Sequence, residues 1–138
     1  MSVSAIGRER VELSTRSAVL AAGDLVAILL FVGAGELQHG YNPVVDTGRY
    51  AGTLAPFLVG WVLAATLVGA YRADVLSNPF RLVGLTVGGW VVAVVIAQAL
   101  RATALFHGGA ALTFALVSIG VGGVLLTLWR VVALLLLR

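Results

Sequence analysis

The feature that most constrains this chain is a set of four nearly continuous apolar stretches, each close to or longer than the roughly 20 residues a helix needs to cross a bilayer. The expected spans are residues 17–35, 54–71, 82–100 and 110–137. Within lipid, backbone N–H and C=O groups must be satisfied inside the segment that carries them, so stretches of this kind fold as helices. Pro56 falls in the first turn of the second span, where a missing N–H costs least. The connections 36–53, 72–81 and 101–109 are short and carry turn residues: Gly40, Pro43 and Gly48, then Ser77, Asn78 and Pro79, then Gly108 and Gly109. The expected architecture is an all-α polytopic membrane protein, a four-transmembrane-helix bundle in a single domain over residues 1–138. Residues 1–16 form an N-terminal segment ahead of the first span.

Charge distribution sets the expected topology. Of 138 residues, 60% are hydrophobic and only 11% charged, against about 25% charged in a typical soluble domain. This excludes an ordinary water-soluble fold. The formal charge is +3, from nine Arg, no Lys and six acidic residues. The Arg are scattered singly, which fits membrane flanks and not a nucleic-acid surface. With four spans, seven Arg (8, 10, 16, 72, 81, 130 and 138) share one side, while Arg49 and Arg101 lie on the other. The positive-inside rule then predicts both termini in the cytoplasm of a multi-pass plasma-membrane protein. A cleaved signal peptide ending near Val32-Gly33-Ala34 is the competing reading of the start. Asp24 interrupts its apolar region, and cleavage would worsen the charge balance. No internal repeat favours an inverted-repeat transporter.

Small residues recur at helical spacing in three spans. The second offers Gly60 and Ala64, then Ala65 and Gly69. The third offers Gly84 and Gly88, then Gly89, Ala93 and Ala97; the fourth offers Ser118, Gly120, Gly122 and Gly123. Close backbone approach through such stripes is the expected means of bundle packing.

Asp24 is the most informative residue, because an ionised side chain inside a span costs about 2.5–3.5 kcal/mol on insertion scales unless it is paired, protonated or facing water. It lies seven positions into its span, roughly 10 Å deep at 1.5 Å per residue. The residues after Arg130 are too apolar for a solvated tail, so the fourth helix is expected to run to the chain end, leaving Arg130 at a similar depth. An intramembrane pair of Asp24 and Arg130 is therefore expected, with Trp129, Tyr71 and Thr66 near the same level. On the opposite side, Glu36, His39, Asp46, Arg49, Tyr50, Arg101 and His107 form a polar cluster. The Glu36, His39 spacing matches a Glu-x-x-His pattern, but it falls where the helix is ending. Loop charges and an Arg101 to Glu36 pair are expected there in preference to a metal. With no Cys, no phosphate loop and no Ser/His/Asp constellation, the sequence carries no enzyme signature and implies no cofactor.

Taken together, several motifs resemble the domain-of-unknown-function 3054 family of small four-span membrane proteins from actinobacteria and haloarchaea. They are Gly23-Asp24, His39, Pro56-Phe57 with Gly60-Trp61, Arg101, and Trp129-Arg130. The resemblance implies an integral membrane protein and assigns no catalytic residue. Asp24 is also similar in placement to the first-helix carboxylate of small multidrug transporters, although theirs is a Glu in an aromatic-rich setting. Gly52-Thr53-Leu54 looks like the start of a fluoride-channel span, without the Asn that follows there. The leading expectation is a structural or partner-binding membrane component in contact with the bilayer, as a homodimer or with another membrane protein. The alternative is a proton-coupled or ion-conducting small transporter or channel centred on Asp24.

Overall fold

The structure is a computed structural model that describes residue 11 and residues 13–137. Arg8, Arg10 and Arg138, which entered the topology expectation, lie outside the described residues. Among the described residues there are four long helices: α1 (Thr15–Gln38), α2 (Thr47–Val68), α3 (Pro79–Arg101) and α4 (Leu112–Leu137). All four are long and apolar enough to cross a membrane.

Local chemistry sets the helix ends. The Ser14 side chain accepts from the Ser17 N–H at 3.2 Å and caps α1. Asn78 does the same for α3, accepting from Phe80 and Arg81, with Pro79 in the first helical position. Gly69 closes α2 with φ of 79°, a left-handed conformation that favours glycine. Beyond it, Val75–Ser77 make one short 3₁₀ turn before α3.

Helical backbone extends past the apolar spans. The polar residues 47–53, expected in a loop, form the first turns of α2, so Pro56, expected in the first turn of its span, lies inside the helix. Asn42 Oδ1 accepts from Val44 at 2.8 Å, and Asp46 Oδ2 accepts from the Asn42 N–H at 3.0 Å. These bonds fold residues 42–46 into a compact turn that delivers the chain to Thr47. At the other extreme, α4 continues past Arg130 to Leu137, and Arg16 donates to the Leu137 carbonyl at 2.9 Å.

Helices α2, α3 and α4 pack in sequence order, and α1 packs more extensively on α4 than on α2, so the bundle closes as a ring. The α2–α3 contact is the most extensive. A Cβ at Gly60 would strike the Ala93 carbonyl, and Ala64, Ala93 and Ala97 are fully buried. Gly84, Gly88 and Gly120 behave differently, since a Cβ at any of them would meet nothing. The α1–α2 contact is the thinnest, and a groove of about 870 Å³ opens there. Leucines and valines such as Leu30, Leu63, Val95 and Leu128 face outward, as lipid-facing positions should.

Aromatic rings fill the interior. Phe31 meets Phe57 and Trp90 edge-on at 5.2 and 5.8 Å. Phe57 also contacts Phe114, and Trp90 contacts Trp61, which in turn meets Tyr71 at 6.4 Å. Phe114 stands at one end of this column and Tyr71 at the other, and each end meets a polar group.

Candidate functional site

At the end of the bundle carrying Ser14 and Leu137, Asp24 of α1 faces Arg130 of α4. Both residues are completely buried. Arg130 Nε donates to Asp24 Oδ1 at 3.0 Å and Nη2 donates to Oδ2 at 2.7 Å, the paired geometry that a planar guanidinium suits. Its remaining arm, Nη1, donates to the Ala70 carbonyl at 2.9 Å. Gly69 turns the chain at the end of α2 and so brings this carbonyl to the arginine.

Two aromatic side chains complete the arrangement. The Tyr71 hydroxyl donates to Asp24 Oδ2 and accepts from the Trp61 indole N–H, the latter at 2.9 Å. The Arg130 guanidinium also lies over the Tyr71 and Trp61 rings, at 5.0 and 5.5 Å from their centroids. Trp129 donates to the Leu20 carbonyl at 3.0 Å, with its indole against Gly23, where a side chain would collide. Thr66 stays outside the network, bonding to Val62 of its own helix.

The opposite end is built differently. Glu36, near the end of α1, is 6% exposed. Its Oε1 accepts from the Thr53 hydroxyl at 2.8 Å and its Oε2 from Arg49 Nε at 3.2 Å. Thr53 also lies 3.0 Å from His107 Nε2. The expected Arg101 to Glu36 pair is not among the ion pairs of the described residues, because Arg49 occupies that carboxylate oxygen. Arg101 Nε instead donates to the Gly109 carbonyl at 3.1 Å, and its guanidinium lies 4.5 Å from the Phe114 centroid.

These groups surround a pocket of about 340 Å³ that also takes in His39 and Tyr41. Asp46 does not line it; its carboxylate is engaged by the Asn42 N–H. Tyr50 points away to the Leu29 carbonyl. Among the described residues, no three His, Asp or Glu side chains are grouped to hold a metal ion. The buried side-chain atoms left without a hydrogen-bond partner among those residues are Arg101 Nη1 and both amide atoms of Gln98.

Sequence reasoning named Thr53 and Trp61 only within motifs and placed neither them nor the Ala70 carbonyl in the polar groups. Thr53 was legible in principle, because a helix starting at Thr47 puts Arg49 and Thr53 one turn apart on a single face. The Ala70 carbonyl has no side-chain signal at all.

A four-helix polytopic membrane protein with a buried Asp–Arg pair at one end and a polar pocket at the other is the class these features define. The chain belongs to the family described as proteins of unknown function, DUF3054, whose model matches residues 21–133. The matched stretch contains Asp24, Arg130 and the pocket residues. No curated protein and no solved structure matches the chain.

Proposed function

We propose that the protein is a structural or partner-binding component of the plasma membrane, with both termini cytoplasmic and Asp24 and Arg130 acting as an internal lock between α1 and α4. The observation that carries this reading is the completeness of the network: both carboxylate oxygens accept, and the Nε, Nη1 and Nη2 groups of Arg130 all donate. A carboxylate whose two oxygens both accept from a buried guanidinium is already charge-compensated and offers little to a travelling ion, and breaking the pair leaves an uncompensated charge in a buried site. Close packing through small residues, as at Gly60 against Ala93, leaves the long outward-facing apolar surfaces for lipid and for a partner helix or a second copy.

A second reading keeps Asp24 as the centre of a proton-coupled or ion-conducting transporter. The groove between α1 and α2 favours it, because Tyr71 and Trp61 line that groove and Tyr71 bonds directly to Asp24. Reconstitution of the Asp24→Asn variant in liposomes separates the two. Under the structural reading, the wild type shows no pH-driven flux and the variant is destabilised. A wild-type flux that disappears in a normally folded variant would replace that reading with the transporter.

A further inference from the structure

The pocket at the end of the bundle opposite Asp24 holds a guanidinium whose hydrogen bonds the described residues leave incomplete. Among the described residues Glu36 is the only carboxylate lining it, and both of its oxygens are taken, one by Arg49 and one by Thr53. Arg101, which feels Glu36 only at longer range, makes no direct ion pair among the described residues. The residue is 8% exposed, its Nε bonds to a neutral carbonyl, and its Nη1 is buried without a partner among the described residues. Leaving a charged donor unsatisfied is costly, so an anion that completes it is bound favourably. The surrounding loop is shaped to this guanidinium: Gly108 has φ of 99°, and a side chain there would run into Arg101.

We propose that this pocket binds a phosphate oxyanion, with Arg101 as its principal ligand and Arg49 on the rim. Two arginines against one carboxylate leave the pocket net positive. A guanidinium with a free N–H matches phosphate oxygens in shape as well as charge. His39 and His107 line the same space. The cavity, at about 340 Å³, has room for such a group with its water. It lies where the helices end, the level at which headgroup phosphates sit around a membrane-spanning bundle. Free inorganic phosphate and a phospholipid headgroup supply the same chemistry.

The test uses the full chain in nanodiscs, in two arms. In phosphatidylcholine discs, inorganic phosphate replaces chloride at constant ionic strength while the thermal unfolding midpoint is followed. In the other arm, native mass spectrometry compares retention of phosphatidylglycerol with that of phosphatidylcholine. The wild type is expected to show a saturable rise in midpoint if the source is free phosphate, or selective phosphatidylglycerol retention if it is lipid. Arg101→Met weakens whichever response appears by roughly tenfold or more, and Arg81→Met, at the other end of the bundle, leaves it unchanged. Arg49→Gln alters the half-exposed rim residue and weakens the same response, which keeps the test intact if Arg101→Met does not fold. Absence of both responses in the wild type, or unchanged responses in the folded pocket variants, would overturn the proposal.

Discussion

The two ends of the bundle each bury a carboxylate near an arginine, yet only one end is closed. Asp24 and Arg130 are inaccessible and use all their principal hydrogen-bonding positions on each other, Tyr71 and Ala70. Glu36 is held by an arginine whose side chain is 43% exposed, beside a second arginine left incomplete. The difference follows from where the partners originate. At the closed end the charges come from the bodies of two helices in direct contact, and a glycine-terminated helix supplies the extra acceptor. At the open end they come from helix termini and loops, where the packing is looser and a pocket remains.

The comparison ranks the expected effects of mutation. Removing one member of the closed pair, by Asp24→Asn or Arg130→Met, should cost about 3–5 kcal/mol in unfolding free energy measured in micelles, because the survivor is a charge or a donor set without compensation. Tyr71→Phe should cost about 1–3 kcal/mol in the same assay, since it removes a donor from Asp24 and an acceptor from Trp61 together. Gly23→Ala, which pushes a methyl group into the Trp129 indole, should fall in the same range of about 1–3 kcal/mol through overpacking. At the open end, Arg49→Gln should cost no more than about 1 kcal/mol, as half-exposed ion pairs do. Gly35→Ala, on the same helix as Gly23 but with open space at its Cβ, should be neutral or stabilising by up to about 1 kcal/mol. A large loss from Arg49→Gln would break the contrast between the ends, and a neutral Tyr71→Phe would weaken it.

The sequence was most informative where physics leaves few choices. Four apolar stretches in a bilayer must be helices, and a lone Asp in one of them makes a buried Arg at similar depth its natural counterpart. Depth counting brings Asp24 and Arg130 to one level because both lie within long regular helices with a known rise per residue. The open end is less regular. Whether residues 47–53 are loop or helix depends on the Asn42 and Asp46 side-chain bonds, a local competition that composition does not reveal. Once Thr47 starts the helix, Arg49 rather than Arg101 reaches Glu36. Small-residue spacing was also ambiguous on its own. Gly60 faces a neighbouring backbone while Gly84 and Gly88 face nothing, and no pattern within a single helix says which stripe meets a partner.

The most direct test of the central claim is a pair of double-mutant cycles, one at each end, read as unfolding free energies under identical conditions. Asp24→Asn with Arg130→Met should show a coupling of about 1–3 kcal/mol, whereas Glu36→Gln with Arg49→Gln should stay below about 0.5 kcal/mol. Additive effects for Asp24 and Arg130, or stronger coupling between Glu36 and Arg49, would contradict the account of a bundle locked at one end and open at the other.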